Sequence, residues 1–145
     1  MRTGTITLSI DSCLDQVFLV GLAVNTICVA DALDERQAAE VELCVVEAMN
    51  NAIEHGYANE PGHTVAVMVS LAPDRIVCTV RDTGVPIEQR LWERQMAASL
   101  GDDLLAEGGR GLLIIRSLMD ELRYERDGNA NALTFVKRLP SLSAL

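Results

Sequence analysis

A chain of 145 residues, 49% of them apolar and 23% charged, has the length and composition of one folded domain with a real core, not of a disordered polymer. Its formal net charge of -9 argues against nucleic acid and anionic membrane surfaces, both of which select basic faces, so neither is expected as a partner. The same charge requires that any anionic ligand be held by local devices: a metal ion, backbone amides or a few arginines.

Only 3% of the residues are aromatic, so the core must be aliphatic. Cys13, Cys28, Cys44 and Cys78 are scattered without a Cys-x-x-Cys pair. They read as free thiols of a reducing cytoplasm, not as a zinc or redox site. Residues 1–11 lack the basic-then-apolar pattern of a secretory leader. The apolar run 17–30 is short and carries Asn25 and Thr26, which suits a buried helix better than a membrane span. A cytoplasmic location is expected.

Taken in order, residues 5–10 alternate and are β-rich, which predicts an edge strand. Asp11 or Ser12 then caps a long helix running to about residue 33. This helix is apolar on more than one face through Phe18, Leu19, Leu22, Ile27 and Val29. Either a partner covers one side, or the helix is simply deep. Asp34 opens a second helix over 35–55 that Gly56 stops. After a turn at 57–63, the strand 64–72 sets Val65, Val67, Val69 and Leu71 on one face, and Pro73-Asp74 turns it into a strand over 75–82.

Residues 83–109 show no sustained apolar period and read as an irregular lid, with Trp92 as its packing anchor. Gly108-Gly109-Arg110-Gly111 opens a helix whose Leu112, Ile115, Met119 and Leu122 share a face. A hairpin of 124–126 and 132–139 about Asp127-Gly128-Asn129 closes the fold, and a tail begins at Pro140. With no repeat and no linker, residues 1–145 form a single domain. The expected class is α+β: a two-layer sandwich of one mixed, mostly antiparallel sheet with helices on one face.

Three constellations carry chemistry. At ~40° of rotation per four residues, Glu47, Asn51 and His55 form one slanted row beside the core-facing row of Val41, Val45, Ala48 and Ala52. An Asn oxygen is a hard neutral ligand for Mg²⁺, and a Glu one turn away can orient or deprotonate a nucleophile. Asn50 points roughly opposite the Val41 row, and the Asn and His can also be read as helix-end capping. Asp82-Thr83-Gly84 ends a strand. A carboxylate there can accept from an exocyclic amine such as adenine N6, and Gly84 lets backbone approach a flat base, although Asp-x-Gly is also an ordinary turn. Glu107-Gly108-Gly109-Arg110-Gly111 offers free amides, a helix dipole and a guanidinium to an anion. It is neither a Walker A loop nor a dinucleotide fingerprint. Each signal is weak alone; their order along one chain is specific.

In that order the chain resembles the ATP-binding (Bergerat) domain of the gyrase, Hsp90, histidine-kinase and MutL superfamily, known as GHKL. Within it, the chain is most similar to the bacterial anti-sigma-factor serine/threonine kinases of the RsbW type. The resemblance rests on Glu47 with Asn51-Ala52-x-x-His55-Gly56-Tyr57, on Asp82-x-Gly84, on Gly109-Arg110-Gly111-Leu112 with the helix after it, and on Asn131-Ala132-Leu133-Thr134. It implies that Asn51 binds Mg²⁺, Glu47 is the general base and Asp82 binds adenine N6. It also implies that Gly84, Gly109, Arg110 and Gly111 surround ATP, with Thr134 near the adenine.

The implied reaction is transfer of the ATP γ-phosphoryl to a serine or threonine of a small antagonist of the STAS type. The kinase would alternately hold a sigma factor or another regulatory target, and would be a homodimer. One departure stands out: Pro86 occupies a position where many superfamily members carry glycine, which stiffens the start of the lid. The alternative function is a non-catalytic, nucleotide-responsive module that sequesters a partner. Glu47 tilts against it, since such a module needs no base. A histidine-kinase catalytic domain is disfavoured because neither His55 nor His63 sits on a separate dimerisation helix.

Overall fold

The structure is a computed structural model and describes residues 3–99 and 110–140. The described elements are β1 (Gly4–Asp11), a 3₁₀ turn (Leu14–Gln16), α1 (Val17–Asp31), α2 (Glu35–Asn51), a π-helical turn (Ala52–Gly56), β2 (Thr64–Leu71), β3 (Arg75–Asp82), α3 (Gln89–Ala97), α4 (Arg110–Leu118), β4 (Glu121–Asp127) and β5 (Ala130–Arg138). The strands form one sheet in the order β1-β2-β3-β5-β4. Every neighbouring pair is antiparallel, so the expected mixed sheet is corrected. Between β1 and β2 the chain makes two helical passes, which returns it pointing the opposite way, and β2–β3 and β4–β5 are hairpins.

The α+β two-layer expectation holds. One sheet face carries Val65, Val67 and Val69 of β2, Ile76, Cys78 and Val80 of β3, and Leu133 and Phe135 of β5, all buried. Val41, Cys44, Val45 and Met49 of α2 and Ile115 of α4 belong to the same buried cluster. The core is aliphatic, as the composition demanded, with Phe135 its largest fully buried side chain.

The first helix begins later than expected. β1 runs through Asp11, and Ser12 is no cap: its hydroxyl donates to the Glu60 carbonyl at 2.6 Å and accepts from the His63 N–H at 3.1 Å. The Asp11 carboxylate accepts from Gly62 N–H at 3.2 Å and from the Cys13 thiol at 3.0 Å. Side chains suited to capping are spent on tying the strand end to the 60–63 turn, and α1 starts at Val17 without a side-chain cap. The helix buries Val17, Val20, Gly21, Val24 and Cys28. Phe18, Leu19, Leu22 and Val29 remain 47–59% exposed, so α1 is not deeply buried. The stretch Leu14–Asp31 is apolar and long enough by composition to cross a bilayer. Here it is laid on α2: a Cβ at Gly21 would lie 2.8 Å from Val46 Cγ2, and Asn25 donates to Glu42 at 3.0 Å.

The second helix opens as expected. Asp34 Oδ1 accepts from Gln37 N–H at 2.8 Å, and Gln37 Oε1 accepts from Asp34 N–H at 3.4 Å, a full capping box. The helix is α-helical to Asn51 and then widens, with Tyr57 N–H bonding to Ala52 O at 3.0 Å. Such π turns are frequent at functional sites.

Two further expectations are corrected. Residues 83–99 are not irregular throughout, since α3 occupies Gln89–Ala97. A helix of nine residues is too short to show a sustained period, and its C-terminus is held from outside: Arg116 donates to the carbonyls of Gln95 at 2.8 Å and Met96 at 2.6 Å, and also to that of Ala98. The 100–109 part of the expected lid lies outside the described residues. The fourth helix ends at Leu118, and Leu122 belongs to β4 rather than to a helix face.

Candidate functional site

The site grows from the end of α2. Glu47 and Asn51 are half-buried, one turn apart. The first turn of α4 presses against both: a Cβ on Gly111 would stand 2.8 Å from Asn51 Nδ2 and 3.1 Å from Glu47 Oε2. Only glycine lets the two helices meet at this distance without displacing the amide or the carboxylate. Asn51 and His55 line a cavity of about 150 Å³. Asn50 is not among its lining residues, as the helical rotation predicted, and His55 is exposed.

Asp82, at the end of β3, lines the same cavity. Its Oδ1 accepts from Gly84 N–H at 2.8 Å and from Asn131 Nδ2 at 2.9 Å, and Asn131 also donates to Gly84 O at 2.9 Å. Asn131 stands opposite Asp82 in the β3–β5 register and is 1% exposed. Gly84 packs backbone to backbone on the π turn: a Cβ there would lie 2.4 Å from Gly56 O, while Val85 N–H donates to that oxygen at 2.8 Å. Tyr57 completes the joint. Its hydroxyl accepts from Thr83 N–H and donates to Thr64 O, both at 2.7 Å, and its ring stacks on His63 at 4.6 Å.

Apolar side chains make most of the remaining wall, among them Ala52, Val80, Ile87, Leu91, Leu112 and Leu133. Pro86 lines the cavity too, and Tyr124 accepts from Ile87 N–H at 2.9 Å. Burial pushes the Tyr124 phenol above its ordinary range. It therefore stays protonated near neutrality and adds no charge to the site.

The structure brings Glu47, Asn51 and Gly111 together, and sets Asp82 and Gly84 at the same cavity. Arg110 begins α4, is exposed and is not a lining residue. Gly109 lies outside the described residues. Thr134 is not at the cavity, which corrects its expected place near a base. It pairs with Thr79, the two hydroxyl oxygens 3.2 Å apart. Strand alternation puts that pair on the sheet face opposite Val80 and Leu133, and Leu133 is the β5 residue at the cavity.

Asn131 and Tyr57 are the residues that sequence reasoning missed. Asn131 was quoted only as the first residue of the final-strand motif, with no role of its own, because its relation to Asp82 exists only in the β3–β5 register. Tyr57 closed the quoted motif, but its hydroxyl partners lie 7 and 26 residues away.

No group of three or more His, Cys, Asp or Glu that could hold a metal is gathered among the described residues. The Asn51 amide beside Glu47 fits a different demand. Mg²⁺ keeps several waters, borrows phosphate oxygens and takes only one or two protein ligands.

The chain matches the family model described as a histidine kinase-like ATPase domain over residues 10–137. It is 32% identical over 102 residues to an anti-sigma F factor of Geobacillus stearothermophilus, covering 70% of this chain and 69% of that protein. To an anti-sigma F factor of Anoxybacillus flavithermus it is 32% identical over 114 residues, covering 78% and 76%. Among solved structures it is similar to the RsbU and RsbW domains of a Mycobacterium tuberculosis protein, with a TM-score of 0.67 at 20% identity over 95% of this chain and 33% of that one. The catalytic domain of the histidine kinase ThkA follows the same fold, with a TM-score of 0.54 at 13% identity over 96% and 97%. The two structural likenesses speak for fold alone, while the family match spans the α2 row, the Asp82 turn and the α4 start together. The chain belongs to the histidine kinase-like ATPase domain family, the GHKL type of ATP-binding domain, and has anti-sigma F factors among its relatives.

Proposed function

We propose that this chain is an ATP-dependent protein serine/threonine kinase of a bacterial partner-switching system. It phosphorylates a small antagonist of the STAS type and alternately holds a sigma factor or comparable regulatory target, in the cytoplasm and as a homodimer. The observation that carries the reading is the contact of Glu47 and Asn51 with Gly111, at a cavity that Asn51 and Asp82 both line. Names of relatives alone would not separate a kinase from a binding module; a carboxylate beside Asn51, the metal ligand of this reading, favours the kinase.

In this reading the apolar wall takes the adenine ring. The Asp82 carboxylate, held by Gly84 and Asn131, accepts from the exocyclic amine. Asn51 would supply the protein oxygen to Mg²⁺, and the charge of the ion would offset that of the phosphates. Arg110 and Gly111 at the start of α4, which Gly109 precedes in the sequence, offer amides, a helix dipole and a guanidinium to the phosphates. These local cations and dipoles are what a chain of net charge -9 needs to hold a polyanion. Glu47 orients the attacking hydroxyl and takes its proton. Positioning and charge neutralisation account for most of the catalysis of phosphoryl transfer, and this set of groups provides both.

The decisive experiment is a pull-down from the source cell with ATP and Mg²⁺, followed by phosphosite mass spectrometry on the retained protein, run in parallel with Glu47→Gln. The wild-type chain should leave a phosphoserine or phosphothreonine on a small retained protein. Glu47→Gln should bind ATP equally well and leave none. Equal labelling by both proteins removes Glu47 as the base. ATP binding with no phosphosite from either would favour the sequestering module.

A further inference from the structure

Gln95 has no part in the roles assigned above. It lies on α3, lines the cavity and is 1% exposed, and its side-chain oxygen Oε1 has no hydrogen-bond partner among the described residues. An unpaired amide oxygen in such a place is costly, and a native fold keeps one only where something else satisfies it. The helix cannot shift easily to relieve it. Arg116 of α4 donates to the carbonyls of Gln95 at 2.8 Å and Met96 at 2.6 Å, and to that of Ala98, so charged donors clamp the backbone beneath the open acceptor. Packing alone does not call for a glutamine here: Leu91, one turn earlier on α3, and Leu112 line the same cavity with apolar side chains.

The position of this acceptor is complementary to Asp82. Asp82 Oδ1 is already occupied by Gly84 and Asn131, and Asp82 belongs to the β3 wall. Gln95 Oε1 is an acceptor on the α3 wall. The nucleoside of ATP carries hydrogen-bond donors at its exocyclic amine and at two ribose hydroxyls. One hydrogen of the amine is assigned to Asp82; its second hydrogen and both hydroxyls have no acceptor assigned.

We propose that Gln95 is a nucleotide-contacting residue whose Oε1 accepts a hydrogen bond from the bound nucleoside, at a ribose hydroxyl or at the second hydrogen of the exocyclic amine. The proposal rests on the reading of this cavity as the ATP site. It makes α3 part of the nucleotide site rather than a spacer, with Arg116 as the positioning residue that sets the height of Gln95.

The test is calorimetry of the full chain with ATP, 2′-deoxy-ATP, 3′-deoxy-ATP and purine riboside triphosphate, which lacks the amine. Wild type, Gln95→Leu and Gln95→Met are compared. Loss of one neutral hydrogen bond should weaken wild-type binding of the analogue lacking that donor by about 3- to 10-fold. In both variants that penalty should vanish for a deoxy analogue. For the amine-free analogue it should shrink to the share Asp82 supplies. The analogue that responds identifies the donor.

Unchanged ratios among all four ligands in both variants overturn the proposal while leaving the ATP site intact. Failure of the wild type to bind ATP overturns both. Because a core substitution can disturb folding, a second readout uses the wild-type chain with isotope-labelled glutamine. The Gln95 carbonyl resonance should move on saturation with ATP and move less with the responsive analogue; an unmoved resonance also overturns the proposal.

Discussion

At the scale of single residues, the site depends on side chains whose orientation is set by backbone. Asp82 is the clearest case. Gly84 N–H and the Asn131 amide both bond to Oδ1, so the carboxylate cannot rotate freely at the end of its strand. A carboxylate fixed in this way loses little entropy when it accepts from a ligand amine. Replacing Asp82 with Ala removes a charge-assisted hydrogen bond worth ~1.5–3 kcal/mol, so ATP should bind about 10- to 150-fold more weakly in calorimetry. An affinity equal to wild type would end the assignment of Asp82 to adenine. Gly84 and Gly111 act by omission: the first lets the Asp82 turn lie on Gly56, the second lets α4 reach Glu47 and Asn51. Thr134 shows how narrow this scale is. One residue of strand parity separates it from Leu133, which is at the cavity.

At the scale of elements, α2 is the beam that carries the site. Its N-terminus is closed by the Asp34–Gln37 capping box and its C-terminus widens into the π turn that receives Gly84 and Val85. Losing the cap should cost about 1 kcal/mol of stability, because an exposed N-terminal amide loses its acceptor without any change in the core. Asp34→Ala should therefore lower the urea midpoint while leaving ATP affinity per folded molecule unchanged. A midpoint equal to wild type would show that the box contributes nothing. The elements also show where patterns along the chain stop being informative. Asp11 and Ser12 have cap chemistry, yet both are used by the turn at 60–63, some fifty residues later. Helix α3 is held from α4 through Arg116, and no local pattern reports that contact.

At the scale of the whole molecule, α1 is the element with an unfinished surface. Phe18 is 59%, Leu19 56% and Leu22 52% exposed, while the other side of the helix is packed on α2. In the proposed homodimer this face is the natural contact. Leu19→Glu combined with Leu22→Glu should shift the mass measured by light scattering from dimer to monomer and leave ATP binding in place; a dimer that persists would place the contact elsewhere.

The core supplies a second whole-molecule prediction. Burial pushes the Cys28 and Cys44 thiols from 9.0 up to about 12. Below pH 9 both folded and unfolded chains keep these protons, and the thiols' contribution to stability is intact. Between pH 9 and about 12 the unfolded chain sheds protons that the folded chain retains, so stability falls as pH rises. The urea midpoint should drop from pH 7 to pH 10, and less steeply when Cys28 and Cys44 are both alanine. Equal slopes for the two proteins would remove the thiols as the cause.

By itself the sequence determined what depends on local periodicity and residue chemistry. The apolar rows specified an aliphatic α+β domain. Helical rotation chose Asn51 over Asn50 for the cavity. The order of the Glu-x-x-x-Asn row, the Asp-x-Gly turn and the glycine-rich helix start pointed to the family. Tertiary structure decided whatever depends on which distant segments meet. Strand register placed Asn131 beside Asp82 and turned Thr134 away, and helix packing made Gly111 the contact to Glu47 and Asn51. It also left the Gln95 side-chain oxygen buried and unpaired among the described residues, on a residue that lines the cavity. Registers and packing distances are fixed by the balance of the whole core, and no window of neighbouring residues contains that balance.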